Sequence, residues 1–339
     1  MGGRQADIPE ITGVTAASFA AELVPAATPV VLRGLVRDWP LVRAGLGSPA
    51  ALAAYLRRFD RGEPVSAVYA PPEAGGRIFY NEDLSGFGFT RATARVGEVL
   101  DYLLAYARRE RPPLLAAQSI PVAAALAGLE AENPMPLLGP EVEPRIWLGN
   151  QVTVAAHHDP VENIACVAAG RRRFTLFPPE QVTNLYMGPF ELTPAGAAIS
   201  MVDFDAPDLE RHPRFGEALA ASMTAELGPG DAIYIPYLWW HHVRSLEPLN
   251  VLVNYWWAPP AEGRGEPAEA FFHALLSLRD LPEAHRKAWR AMFDHYVFLD
   301  HGPTGEHLPP ARRGINAPLD AEGIAYLRDL LGPAAGASS

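Results

Sequence analysis

Two histidine doublets carry the densest chemistry in this chain, "AAHHDPVEN" (155–163) and "WWHHVRS" (239–245), about eighty residues apart. Successive side chains of a strand alternate, so residues two apart share a face. His157 and Asp159 therefore point one way and His158 the other. An imidazole and a carboxylate on one face can grip a single metal ion, and a third ligand must then come from a strand lying alongside. The segment "PGDAIYIPYLWWHH" (229–242) can return either His241 or His242 to that place. Parity groups His241 with Trp239 and Val243, an apolar set suited to a barrel interior. It groups His242 with Trp240 and Arg244, a mixed set, and so favours His241.

Two histidines and one carboxylate on one face of an octahedron leave three positions open, the donor arrangement of non-haem Fe(II) oxygenases. A closed set of protein ligands would hold structure; an open one can bind a cosubstrate and dioxygen together. The HxD pattern alone is common. Its combination with a "PGD" turn, an "IP" strand end and a distal histidine is specific.

Arg172 lies fifteen residues after His157, past Gly170, and alternates with Phe174 and Leu176 on an otherwise apolar face. A guanidinium there would take a carboxylate through two parallel hydrogen bonds. Because Arg171 and Arg173 flank it, the same run also reads as a solvated basic turn. Asn163 and Asn254 interrupt apolar strands, where a buried amide needs partners. They are either satisfied core amides or the lining of a site. Trp256 and Trp257 read first as core.

The elements that must position these residues follow from texture. Helical periodicity marks 16–23, "SPAALAAYLRRF" with Ser48 as N-cap, and "VGEVLDYLLAYARRE". "TPVVLRGLV", "GRIFYNEDL" and "PPLLAAQSIPV" read as extended. From Pro144 short apolar runs recur between turn residues: "RIWLGN", "TVAAHHD", "NIACVAAG", "RRFTLFPP", "DAIYIP", "WWHHVRSL" and "NVLVNYWW". Many short strands with regular turn signals predict a sandwich or barrel. A long polar insertion (187–215) separates two of them, and long ordered insertions tend to carry function. After residue 266 the pattern is helical again, and the last eight residues read as a frayed end.

Composition bounds the rest. The 339 residues are 49% hydrophobic, ample for a large core. Acidic residues outnumber basic ones by 39 to 28, a net charge of −11 that argues against nucleic acid as a partner. One cysteine, Cys166, allows no internal disulfide and fits a reducing compartment. No apolar run reaches the roughly twenty residues needed to cross a bilayer, and the start has no signal-peptide core, so a cytoplasmic location without membrane attachment is expected.

The runs "HHDPVENIACVAAGRRRFTLFPPEQVTNLY", "VDFDAPDLERHPRF" and "PGDAIYIPYLWWHHVRSL" resemble the jumonji-C, cupin-like 2-oxoglutarate oxygenases, and among them the asparaginyl hydroxylases. The resemblance is dense from Pro144 to Trp257 and extends to "TPVVLRGLVRDWP" and "GRIFYNEDLSGF". It implies a mainly β fold with flanking helices: a double-stranded β-helix, or jelly roll, over residues 1–260, followed by a helical dimerisation segment over 261–339. It implies His157, Asp159 and His241 as ligands of Fe(II), with 2-oxoglutarate as cosubstrate and dioxygen as oxidant. Arg172 falls where the family has a cation for the distal carboxylate, and Asn163, Asn254, Trp256 and Thr153 fall at cosubstrate-lining positions. Two positions depart from the pattern. Ala116 stands near a family tyrosine, and Thr153 is one residue out of register with a family threonine. The expected activity is hydroxylation of a protein side chain by a homodimer. The alternatives are hydroxylation of a small molecule or free amino acid, a cupin-type metalloenzyme that needs no cosubstrate, and a non-catalytic binding module.

Overall fold

The computed structural model describes residues 5–194, 196–258 and 263–332. The expected 260/261 boundary and most of the expected frayed end lie outside those residues. Packing divides the chain into a unit over Met1–Ala258 and a unit over Pro259–Ser339.

Among the described residues, fifteen strands build the first unit. In chain order they are β1 (Ala6–Asp7), β2 (Glu10–Ile11), β3 (Val30–Leu32), β4 (Pro64–Ala70), β5 (Arg77–Ile78), β6 (Thr90–Arg95), β7 (Leu114–Pro121) and β8 (Pro144–Gly149). They continue as β9 (Thr153–His157), β10 (Glu162–Ala169), β11 (Arg172–Phe177), β12 (Met223–Leu227), β13 (Ala232–Ile235), β14 (Trp240–Ser245) and β15 (Asn250–Trp257). A minor sheet runs β1-β12-β11-β14-β9-β5 and a major sheet β2-β3-β13-β10-β15-β8-β7-β4-β6. The two form the expected jelly roll. From β8 to β15 the chain changes sheet at every step except β11 to β12, which pair directly, because a double-stranded β-helix winds two layers around one core.

That core is alternation made solid. Ala165, Val167, Phe174, Leu176, Ile233, Ile235 and Leu252 point between the sheets and are buried together. The opposite faces of β10 and β15 (Ile164, Cys166, Val251, Val253) bury against Leu41, Val42, Leu52, Leu56, Val99, Leu100 and Leu103 of the preceding helices. Ser48 caps its helix as expected, its hydroxyl accepting from the Ala51 amide at 3.1 Å. Gly170 turns β10 into β11 at φ +73°, where any Cβ would collide with the Asn250 side chain. Asp231 ties the turn before β13 to β3, accepting from Arg33 Nη1 at 2.6 Å and from the Gly34 amide at 3.0 Å.

Several elements differ from expectation for physical reasons. The run at 29–36 is a strand only over Val30–Leu32, because Gly34 takes φ +67° and breaks the ladder. "GRIFYNEDL" pairs only over Arg77–Ile78 before an isolated bridge, Tyr80 to Phe87. The strands β4, β6 and β12 carry few of the β-branched runs that mark strands in a sequence; neighbouring strands, not propensity, hold them. In the second unit the helices span Pro267–Leu278, Glu283–Tyr296 and Ala321–Leu331. Among the described residues no helix is long and apolar enough to cross a membrane.

Candidate metal centre

β9 and β14 are antiparallel neighbours, and His157 pairs directly with His241. Their rings lie 4.2 Å apart between centroids. β9 ends at His157, so Asp159 stands in the turn beyond it, held where its carbonyl accepts from the Leu238 amide at 3.1 Å. The carboxylate comes to 3.6 Å from His241 Nε2. One donor atom from each of His157, Asp159 and His241 lies within 4.8 Å of the others.

Both imidazoles are turned the same way. His157 Nδ1 lies 3.0 Å from the Ala155 carbonyl and His241 Nδ1 3.1 Å from the Trp239 carbonyl. A carbonyl only accepts, so each Nδ1 carries the proton and each Nε2 keeps its lone pair for a metal. Burial first, then the neighbouring His157, pushes the His241 pKa down to about 4. The ring is therefore a neutral ligand at physiological pH. Two neutral nitrogens and one carboxylate suit a divalent first-row metal, and no fourth histidine, cysteine or acid among the described residues joins them.

Outward parity keeps the second member of each doublet away from the cluster. His242 pairs with Thr175 and stacks on Phe204 at 4.5 Å; His158 meets Trp240 edge-on at 4.5 Å. The mixed face expected for Trp240 and His242 is not solvated. Phe204, Val202, Phe215 and Leu185, from the insertion and its flanks, cover it. Ion pairs Arg77–Asp203 and Arg244–Asp205, at 2.7 and 2.5 Å, clip the insertion to the sheet.

On the same inward face of the minor sheet, Arg172 pairs with Ser245, four residues along β14 from His241. At about 3.3 Å per residue that is roughly 13 Å between backbone rungs, which an arginine side chain and a small diacid together can bridge. Arg172 is 8% exposed, and its Nε has no hydrogen-bond partner. Burial lowers its pKa to about 10, which leaves it charged at neutral pH. No carboxylate among the described residues lies within salt-bridge distance. Beside it is a cavity of about 30 Å³ lined by Ala116, Gln118, Trp147, Gly149, Val154 and Ser245, among others. A buried, unpaired guanidinium calls for an anion.

Asn163, Asn254 and Trp256 face the same interior from the major sheet. Asn163 pairs with Trp256. Trp147 Nε1 donates to Asn254 Oδ1 at 2.7 Å, and Asn254 Nδ2 lies 3.5 Å from Asn163 Oδ1. Trp256 Nε1 is buried without a partner. Thr153 is the one lining position the fold does not bring in. It pairs with outward Arg244, whereas Val154 pairs with inward Val243 and lines the Arg172 cavity. The reason is a bulge: between these rungs two residues of β9, Ala155 and Ala156, oppose one of β14, His242. Simple alternation from His157 back to Thr153 therefore fails. Gln118 and Ser245 line the cavity but were not singled out by the sequence. Ser245 was findable, since it shares the parity of His241 and Val243.

The fold and the centre together define a jelly roll with three convergent metal donors at one end of its interior. The chain belongs to the cupin-like domain family, whose model matches residues 16–263. It is similar to Jumonji C domain-containing protein 5 of Drosophila melanogaster, 26% identical over 253 residues, which is 74% of this chain and 60% of that protein. It is also similar to human HSPB1-associated protein 1, 35% identical over 118 residues (34% of this chain, 23% of that protein). Lysine-specific demethylase 8 of Xenopus tropicalis is 32% identical over 119 residues (35% of this chain, 26% of that protein). The chain thus spans less than two thirds of the length of these relatives.

Proposed function

We propose that this chain is an Fe(II)- and 2-oxoglutarate-dependent oxygenase, and within that class a hydroxylase of a protein side chain. One observation carries the reading: a single barrel interior holds both three convergent metal donors and a buried arginine with no anionic partner. His157, Asp159 and His241 would hold the metal, and Arg172 the distal carboxylate of the cosubstrate. Its fork supplies donors only, as does the unpartnered Trp256 indole, so a ligand rich in acceptors satisfies both. Asn163 and Asn254 line the same chamber, and the apolar walls (Val154, Val243, Trp147) exclude water from it. Bound there, ferrous iron and 2-oxoglutarate supply oxidising chemistry that consumes dioxygen; the protein contributes placement and dryness. The names of the similar jumonji-C proteins support the class. The chain's second unit, with apolar side chains exposed on its helices, is read as the contact with a second copy.

The test is spectroscopic. Anaerobic protein mixed with Fe(II) and 2-oxoglutarate is expected to show the weak visible charge-transfer band of the chelate, and His157→Ala to lose it. Absence of the band in the natural protein, or its persistence in His157→Ala, overturns the reading. Succinate release with peptide pools against small acids then separates a protein substrate from a free amino acid.

A further inference from the structure

We infer that the end of the barrel next to the metal centre selects a substrate bearing a carboxylate, and that Arg145 is the residue that reads it. This rests on the oxygenase reading for what happens to the substrate, but not for its binding.

Arg145 is half-buried on β8, paired with Asn254 on one side and Pro121 on the other. It shares a face with Trp147, whose indole donates to inward Asn254, so Arg145 also faces the interior. Asn254 and Trp256 lie two residues apart on β15, which places Arg145 at the end of the sheet where Asn163 and Trp256 meet. Its guanidinium sits 5.8 Å from the Trp256 ring centroid. Nη1 donates to the Ser119 carbonyl at 3.1 Å and to Ser119 Oγ at 3.2 Å. Among the described residues no other hydrogen bond is made by this fork, and no carboxylate comes within salt-bridge distance. Arg172 is already matched to one anion inside the barrel. A second inward arginine has no role in holding the same small diacid at its far end.

The surroundings are shaped for a ligand. Two residues of β7, Gln118 and Ser119, oppose one of β8, Trp147, between the Ala117 and Ile120 rungs, a bulge that re-aims side chains. Ser119 in it holds φ +54°, the left-handed region that a non-glycine residue occupies under constraint from its neighbours. Over this bulge opens a cleft of about 500 Å³ lined by Glu63, Ser66, Gln118, Ser119, Pro121 and Ala124, among others; Arg145 is not in its lining and borders it through Ser119. That is the size of a small-ligand or peptide-side-chain site. Gln118 lines both the cleft and the Arg172 cavity, so the two adjoin across the bulge. A body of net charge −11 attracts anions only through such local cations, and a guanidinium held by one nitrogen presents its remaining donors to a carboxylate. The carboxylate can come from an acidic side chain of a peptide or from a small acid; the chemistry recognised is the same.

The test uses the full-length protein, both metal-free and loaded with Mn(II) and saturating 2-oxoglutarate. Fluorescein-labelled hexapeptides with one central Glu, Gln or Lys among Gly and Ser are titrated by anisotropy, with N-acetylglutamate as competitor. The Glu peptide is expected to bind at least tenfold more tightly than the Gln peptide. That preference should vanish in Arg145→Gln and survive in part in Arg145→Lys. Competition by N-acetylglutamate at comparable concentration assigns the carboxylate to a small acid; its failure assigns it to a peptide. Equal binding of Glu and Gln peptides, no binding of any probe, or an intact preference in Arg145→Gln overturns the inference. Should Arg145→Gln not fold because the bulge loses its pin, the Glu-to-Gln ratio of the natural protein decides alone. The readout needs no turnover. A lost preference beside an intact chelate band sinks this inference only, and the reverse sinks the oxygenase reading only.

Discussion

Arg172 is the residue where function and stability pull apart most visibly. A guanidinium enclosed among Phe174, Val243 and Trp147 without a carboxylate has lost its hydration and gained nothing in return. Replacing it by an apolar side chain of similar reach should therefore stabilise the ligand-free protein while destroying the anion site. Arg172→Met is expected to raise the urea unfolding free energy of the metal-free protein by about 1 to 4 kcal/mol. The same change should weaken 2-oxoglutarate binding at least tenfold, read from titration of the anaerobic band. Arg172→Lys keeps the charge but not the fork and should fall between. A destabilised Arg172→Met would mean that the guanidinium is satisfied within the protein. Thr153 offers the complementary control. Because the β9 bulge turns it outward beside Arg244, Thr153→Val should leave half-saturation by 2-oxoglutarate unchanged.

At the scale of elements, the metal centre was legible where alternation holds and illegible where it slips. Parity favoured His241 over His242, and because β14 pairs regularly from Trp240 to Ser245 against β11, it is His241 that comes beside His157 and Asp159. The resemblance put Thr153 at a lining position one residue out of register, and the bulge that turns it outward has no signature in "TVAAH"; only the facing strand reveals that two alanines oppose His242 alone. Arg145 and Gln118 escaped for a related reason, since their neighbourhood depends on the β7 bulge and on which strands become neighbours. The insertion was visible as polar and long, but not that its Phe204 would seal the outer face of β14. That seal has a consequence for pH. Burial, then Arg244, pushes the His242 pKa down to about 4, and burial does likewise to His241. In the unfolded chain both titrate near 6.5. Between pH 6.5 and about 4 the unfolded state binds more protons, so stability is full above 6.5 and is lost as pH falls through that window. The loss approaches about 1.4 kcal/mol per pH unit per group. Metal-free protein should show a falling urea midpoint from pH 7 to pH 5. His242→Phe, which keeps a ring against Phe204, should flatten part of that fall. An unchanged slope in the variant would show that His242 is not held neutral by its cover.

At the scale of the whole molecule, the two units contrast in how they bury apolar surface. The first encloses its interior within two sheets and a helical layer. In the second, none of the residues in its three helices is buried, and Leu276, Trp289, Met292 and Phe298 are 84, 47, 49 and 64% exposed. A segment of this length that covers so little apolar area gains little from its own packing, and a second copy offering the same surface closes the deficit through a two-fold contact. Exposed patches of this kind mark association sites more often than accidents of folding. Light scattering on the eluting protein should therefore give twice the 36.7 kDa of one chain. Leu276→Glu combined with Trp289→Glu places two charges in that surface and should return the mass to one chain. Because His157, Asp159, His241 and Arg172 all belong to the first unit, the anaerobic charge-transfer band should survive in this variant. A natural protein that elutes as a single chain with its fold intact would remove the dimer without touching the metal centre.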